Sequence, residues 1–413
     1  MIKKDRMFYR FSAYGFLKNL RFFEPFIILI FRANGLSFFQ IGLLYSVRDL
    51  TNNLMEIPTG VLADAFGRRR AMVLAFSAYL VSFSIFYLFD DFYIYALAMV
   101  FFGLGEAFRS GTHKALILEY LKRHDMLDLK VSYYGRTRGA SQLGSAFNSL
   151  IAAGLLLITG DYRTMFLAAT IPYVIDLLNL ATYPKFLDGK LVALEKGAFW
   201  GQAKATFKDF KDIFSDVYAM RSIFNSASFT ALFKITKDYL QPILETFALA
   251  LPVLLFVDDV ERSGMVIGVV YFFIYLLTSY ASRNSDIASR RFRNLARAIN
   301  ISFLVGVGFL FLAGLATWLN LVIVSILVFL GFYVLQNLRK PMNVANISDQ
   351  ISQRVMASGL SIEAQFTTIL VAIFAPILGA LADVFGVGLA LTVLGAGTLL
   401  LYSFVRVQER PLS

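Results

Sequence analysis

The sequence predicts an all-α integral membrane protein of twelve transmembrane helices in two pseudo-symmetric six-helix halves, both termini cytoplasmic. Three observations predict it: a composition too apolar for a soluble core, twelve apolar segments of bilayer length, and a one-sided distribution of Lys and Arg. Of 413 residues, 58% are hydrophobic and 16% charged, where a soluble domain carries about 45–50% and about 25%. Mean hydropathy is +0.65. The net charge of +11 does not call for a nucleic-acid partner, because the cations lie in short segments between apolar runs and form no basic patch interleaved with stacking aromatics. Zero cysteines exclude disulfides, thiolate metal sites and cysteine nucleophiles. Two histidines, His113 and His124, leave no imidazole cluster, so neither metal nor cofactor is expected. The basic start, Lys3, Lys4 and Arg6, is followed by a run broken by Lys18, Arg21 and Glu24 with no small-residue cleavage site, so no cleaved signal peptide is predicted.

A helix crosses the hydrocarbon with about 20 mostly apolar residues. The qualifying segments are roughly 9–32, 38–60, 71–89, 93–119, 138–159, 163–183, 222–248, 264–281, 298–316, 319–338, 357–380 and 387–406. The longest polar interval, 184–221, parts six from six. It defines an N-terminal half (1–184), a linker (185–221) and a C-terminal half (222–413). In the linker Phe199, Phe207, Phe210 and Phe214 alternate with Lys204, Lys208, Asp209 and Lys211, the pattern of an amphipathic helix, either at the interface or, as favoured here, packed on the protein's own face. Cations in short loops resist translocation. Of the 39, the segments on one side hold 29 and those on the other 3, which places both termini, and the linker, in the cytoplasm.

The halves carry traces of repetition. Ile41-Gly42-Leu43-Leu44-Tyr45 opens the second segment, and Ile267-Gly268-Val269-Val270-Tyr271 opens the eighth. Pro25 and Pro242 interrupt segments one and seven at comparable depth. Parallel repeats of this kind build transporter folds.

Between segments two and three the chain reads Gly60-Val61-Leu62-Ala63-Asp64-Ala65-Phe66-Gly67-Arg68-Arg69-Arg70. This resembles, position for position, the G-x-L-x-D-x-x-G-R-R signature loop of the major facilitator superfamily of secondary transporters. The resemblance implies that family's fold, alternating access between two rocking halves, and a conformational-gate role for Gly60, Asp64, Gly67, Arg68 and Arg69. A related run, Gly379-Ala380-Leu381-Ala382-Asp383-Val384-Phe385-Gly386, lacks the arginines and lies after segment eleven; Asp383 reads as a helix cap. The place after segment eight where the repeat predicts a second signature holds the degenerate Ser285–Arg291. The Gly-Pro motif of drug antiporters is missing from segment five, Gly139–Asn148, while Arg109 loosely matches their mid-span arginine.

Ionisable groups inside a span cost about 2.5–3.5 kcal/mol each on insertion scales and face polar interiors. Seven cations lie there (Lys18, Arg21, Arg48, Arg109, Lys114, Lys234, Lys237), with acids Glu24, Asp49, Glu56, Glu106, Asp176, Asp238 and Glu245. At about 100° per residue, Glu106, Arg109 and His113 share a stripe of segment four, and Lys234, Lys237, Asp238, Gln241 and Glu245 a stripe of segment seven. The family's path is lined by spans one, four, seven and ten, and three of these are the charge-rich ones. Lys18, Arg21, Arg109, His113, Lys234, Lys237 and Gln241 are therefore the candidate substrate-binding residues, and Glu24, Glu106 and Asp238 the candidate proton-coupling acids, since burial and neighbouring cations set a carboxylate's proton affinity. The competing reading is structural ion pairing, the larger share for Arg48, Asp49, Asn52, Asn53 and Glu56.

No phosphate-binding G-x-x-x-x-G-K-[ST] loop is present, and Gly103-Leu104-Gly105 reads as close helix packing. The expected function is secondary active transport of a small polar solute, anionic or zwitterionic, with protons as coupling ion; no enzyme activity is expected. The alternatives are a drug or amphipathic-compound efflux antiporter, a lipid flippase, and a non-transporting receptor on the same scaffold. The expected setting is a multi-pass monomer in a bacterial or archaeal plasma membrane.

Overall fold

The computed structural model describes residues 5–189, 191, 201, 214, 216–252, 257–284, 294–350 and 356–408, with the backbone alone at 131, 132 and 356–358. Phe199, Phe207 and Phe210 of the linker and the loop 285–291 lie outside the described residues. Every regular element among the described residues is helical. In chain order the α-helices are α1 (Arg6–Leu17), α2 (Ile27–Ala33), α3 (Phe38–Phe66), α4 (Arg68–Leu88), α5 (Phe92–Arg109), α6 (Thr112–Arg123), α7 (Lys130–Thr159), α8 (Thr164–Ala181), α9 (Val217–Thr236), α10 (Leu240–Ala250), α11 (Asp259–Arg283), α12 (Leu295–Trp318), α13 (Val322–Gln350), α14 (Met356–Leu400) and α15 (Tyr402–Val405). Among the described residues, eight helical segments are long and apolar enough to cross a membrane. The longest, within α14, is two helices joined at Gly386.

The residues form two compact units. Unit 1 comprises 1–30, 47–203 and 256–272; unit 2 comprises 31–46, 204–255 and 273–413. In unit 1, α4 packs on α5 and α8, and α1 packs on α7 and α8; α4 buries Met72, Phe76, Tyr79 and Phe83. In unit 2, α12 packs on α13 and α14, and α9 on both. Side-chain caps fix several helix starts: Asp91 accepts from Tyr93 and Ile94 N–H, Asp216 from Tyr218 and Ala219, and Asn294 from Arg297. Each cap satisfies amides that the helix itself leaves without acceptors.

The repeated pentapeptides occupy matching environments. Ile41, Tyr45, Ile267 and Tyr271 are all buried. A methyl group on Gly42 would lie 2.4 Å from the Ala375 carbonyl oxygen, and one on Gly268 would lie 2.4 Å from the Ala153 Cβ. In both places the missing side chain lets two helices touch. Asp383 caps the start of α3, accepting N–H from Phe38 (2.8 Å) and Phe39 (2.9 Å).

The structure corrects the sequence reading in two respects. Segments one, four and seven are not continuous helices. The first breaks between α1 and α2, with a 3-10 turn at Glu24–Phe26; the fourth breaks at Ser110-Gly111; the seventh passes through a 3-10 turn at Lys237–Tyr239. The stripes drawn with one uninterrupted helical period therefore do not hold as drawn, because backbone hydrogen bonding is interrupted at the charged residues themselves. Arg339, the residue after the apolar segment 319–338 and so outside the predicted span, lies inside α13 and is fully buried; the helix simply runs on past the apolar segment.

Candidate functional site

Unit 1 gathers its charges where the first and fourth segments break. After Leu17 the chain leaves the helix, and polar side chains satisfy the freed backbone. The Tyr173 hydroxyl donates to the Lys18 carbonyl (2.8 Å), Asn148 to the Arg21 carbonyl (3.1 Å), and Asn19 to the carbonyls of Gly15 (2.7 Å) and Ser141 (3.0 Å). Inside a membrane such irregular backbone is tolerated only where protein replaces water in this way. In segment four, Gly111 adopts φ +71°, a conformation that suits glycine, and α6 begins at the next residue.

These breaks bring Arg21, Glu106 and Arg109 together. The Arg21 guanidinium donates to Glu106 Oε1 at 2.7 Å and to the Tyr173 hydroxyl at 2.5 Å. Arg109 donates to Glu106 Oε2 and, at 3.0 Å, to the Tyr79 hydroxyl. One carboxylate thus serves two arginines, one oxygen each. The Arg21 guanidinium also lies 4.9 Å from the Phe102 ring and 5.1 Å from the Tyr79 ring, cation–π contacts that strengthen when water is excluded. His113 stacks on Tyr14 with ring centroids 3.6 Å apart, and the Lys18 ammonium lies 5.5 Å from the same tyrosine ring.

A cavity of about 250 Å³ opens on this cluster, lined by Tyr14, Lys18, Asn52, Glu106, Arg109, Ser110, Gly111, His113 and Tyr134. Of the sequence-predicted residues, Lys18, Glu106, Arg109 and His113 line it, and Arg21 stands behind Glu106. Glu24 starts the 3-10 turn that follows Arg21 and is not among the lining residues. Asn52, Ser110, Tyr14 and Tyr134 were not anticipated as site residues. Asn52 was visible as a polar residue inside a span, but its place on this wall follows from packing. The His113 Nε2 and the Asn52 Oδ1 are buried without a hydrogen-bond partner among the described residues. Asp176, fully buried on α8, accepts from Asn179 at 3.1 Å through Oδ1, while its Oδ2 has no partner.

Unit 2 holds the other predicted group. Lys237 donates to Asp238 Oδ1 at 2.5 Å, and the Tyr45 hydroxyl donates to Oδ2 at 3.0 Å. The Tyr333 hydroxyl donates to the Lys237 carbonyl (2.8 Å), satisfying the break. Lys234 sits in the last turn of α9, and Gln241 is fully buried in α10. Elsewhere in the unit, Arg339 donates to the Ile299 carbonyl (2.5 Å), Ser302 Oγ (2.6 Å) and Asn225 Oδ1 (2.7 Å), and lies 4.2 Å from the Phe229 ring. Its partners are all neutral.

The signature loop docks within unit 1. Gly67 turns at φ +103° between α3 and α4. Asp188 accepts the Arg69 N–H (2.8 Å), and the Arg69 guanidinium donates to the carbonyls of Ala181 (3.2 Å) and Tyr183 (3.3 Å). Asp64 faces Arg68 at 3.5 Å and is half-exposed.

The sequence model of the Major Facilitator Superfamily matches residues 11–362. A curated relative, the uncharacterized MFS-type transporter YxaM of Bacillus subtilis (strain 168), is 31% identical over 106 residues, 26% of either chain; the match spans about a quarter of that relative. Among solved structures, the nucleoside transporter NupG superposes with a TM-score of 0.75 at 12% identity, covering 97% of this chain and 98% of that one. A POT family transporter in complex with 5-aminolevulinic acid gives 0.73 at 14%, covering 97% and 95%. A D-xylose-proton symporter gives 0.70 at 14%, covering 98% of both. At such identities the likeness is one of fold.

Proposed function

The chain belongs to the major facilitator superfamily, a family of membrane transporters and not of enzymes, and from that premise we propose that it moves a small anionic or zwitterionic solute by alternating access, coupled to protons. One observation carries the reading. Two cations and one carboxylate line the cavity of unit 1, and that carboxylate is already held by two guanidinium groups. A positive charge is left over at a site within apolar helices, where uncompensated charge is costly; an anionic solute supplies what is missing. Lys18, Arg21, Arg109 and His113 are the proposed substrate-binding residues of unit 1, and Lys234, Lys237 and Gln241 are those proposed in unit 2. Glu24, Glu106 and Asp238 are the acids proposed to exchange the coupling proton, and the signature loop governs the conformational step.

The proposal includes twelve spans in two six-helix halves, both termini cytoplasmic, and a monomer in a bacterial or archaeal plasma membrane. Reporter fusions at the C-terminus and within 255–263 are expected on opposite sides; the same side for both would overturn the topology. The function is tested in proteoliposomes with a panel of labelled anionic, zwitterionic, neutral and cationic metabolites, with and without an imposed pH gradient. Accumulation of an anion or zwitterion that collapses with the gradient is expected. Transport confined to hydrophobic cations would refute the reading, and gradient-independent equilibration would remove the coupling.

A further inference from the structure

The wall of the unit 1 cavity specifies more than a charge. Segment four is interrupted there, so α6, twelve residues long, begins beside the cavity with Gly111, Thr112 and His113. The first amides of a helix have no acceptor within it. The Thr112 N–H is taken by the Ser110 carbonyl at 2.8 Å, which leaves those of His113 and Lys114 at the positive end of the helix dipole. A half-helix starting inside a membrane favours an anionic group at that end. The Lys18 ammonium, with no ion-pair partner among the described residues, lines the same space.

A second, independent observation points to a ligand. His113 is only 9% exposed, yet its Nε2 has no partner; the Asn52 Oδ1, on the same wall, is buried and also unpartnered. Unmade hydrogen bonds of this kind are costly. A ligand that completes the wall brings an acceptor with negative charge for Lys18 and the His113 Nε2, and a hydrogen-bond donor for Asn52. Its sign is set, because Arg21 and Arg109 share the one Glu106 carboxylate and Lys18 has no ion-pair partner among the described residues; a single carboxylate serves that lysine. Its size is bounded too, since about 250 Å³ holds on the order of eight waters at about 30 Å³ each.

We propose that this cavity binds a small 2-hydroxy- or 2-amino-carboxylate, with its carboxylate on Lys18 and the start of α6 and the adjacent hydroxyl or ammonium donating to Asn52. The proposal rests on the reading that an anionic or zwitterionic solute binds here. Full-length protein in nanodiscs is titrated calorimetrically with lactate, alanine, propionate, glycerol 3-phosphate and glycerol. Lactate and alanine are expected to bind at least tenfold more tightly than propionate, with the other two weakest. Lys18→Met weakens every carboxylate at least tenfold. Asn52→Leu brings lactate and alanine down to the affinity of propionate, a ratio read within one variant and so independent of its stability. Should Asn52→Leu not fold, the near-isosteric Asn52→Asp keeps an acceptor and adds charge, and is expected to favour alanine over lactate at least tenfold. Equal binding of propionate, lactate and alanine by the native protein, or a gap that survives in Asn52→Leu, overturns the donor inference while the anion reading stands. Tightest binding of glycerol 3-phosphate overturns the single-carboxylate assignment. Absence of binding by all three carboxylates, or no effect of Lys18→Met, overturns the anion reading itself.

Discussion

Both units bury arginine among aromatic rings, and they hold it in opposite ways. In unit 1, Arg21 and Arg109 share the Glu106 carboxylate beside a cavity. In unit 2, Arg339 is fully enclosed and, among the described residues, donates to a carbonyl, a hydroxyl and an amide and to no carboxylate. A buried cation is therefore not in itself the mark of a ligand site. What distinguishes unit 1 is space beside the charge and a carboxylate divided between two arginines; an unpartnered buried atom does not do so by itself, since the Arg339 Nε lacks a partner among the described residues too.

The contrast breaks most readily at Glu106. Glu106→Gln leaves two poorly hydrated guanidinium groups without a counter-charge, and removing one partner of a buried pair costs about 3–5 kcal/mol. A large drop in melting temperature is expected, partly restored by adding Arg109→Met; a variant as stable as the parent would show that the trio is solvated and not a structural unit. Arg339→Met comes next. It strips donors from three buried acceptors, each charge-assisted bond being worth about 1.5–3 kcal/mol, with partial relief from apolar filling. Thermal stability should fall by about 2–4 kcal/mol while affinity for an anionic ligand changes less than twofold. Arg109→Ala sharpens the comparison, since it should lower that affinity at least a hundredfold; a similar loss in Arg339→Met would erase the distinction between the units.

Smaller effects test the repeated pentapeptides. Gly42→Ala drives a methyl group against three backbone atoms of Ala375 and Pro376, while Gly268→Ala meets the Ala153 Cβ and the Ser149 carbonyl oxygen. Overpacking costs about 1–3 kcal/mol, and Gly42→Ala is expected at the upper end because all of its nearest contacts are backbone. Melting curves of the two variants measure the difference, and equal, negligible shifts would mean that these crossings are loose. The smallest change in stability belongs to Asp64→Asn, whose half-exposed contact with Arg68 contributes within about 0.5 kcal/mol. Transport should nonetheless slow severalfold with ligand affinity unchanged; lost affinity at an unchanged rate would remove the gate assignment from the loop.

The sequence told which residues carry charge inside the helices, because Arg, Lys, Asp and Glu stand out in an apolar run whatever their neighbours. It told of the signature loop and of the pentapeptide pair for the same local reason. The interruptions were not legible. Ser110-Gly111 is a turn-prone pair, but it stands in an apolar run of bilayer length that holds other glycines, and the run reads as one helix. In segment one the hydrogen bonds that satisfy the break come from Asn148 and Tyr173, more than a hundred positions downstream. Asn52 was read as structural because its register alone could not place it on a wall with Lys18 and His113. Arg339 was misplaced because apolar character ends before α13 does.

The division of the chain between the units also orders its biogenesis. Unit 1 includes 256–272, so it cannot be completed when the ribosome has passed the central linker. Gly268 reaches Ala153 only after on the order of several seconds of further synthesis, at about 5–20 residues per second. Conversely, 31–46 belongs to unit 2 and is among the first segments inserted, yet the Ala375 backbone against which Gly42 packs is made near the end. Until then an early helix stands in the bilayer with one face unpaired. A chain truncated before 375 should accordingly be a preferred substrate for membrane quality-control proteases, and separately expressed halves would each have to borrow a segment from the other to mature.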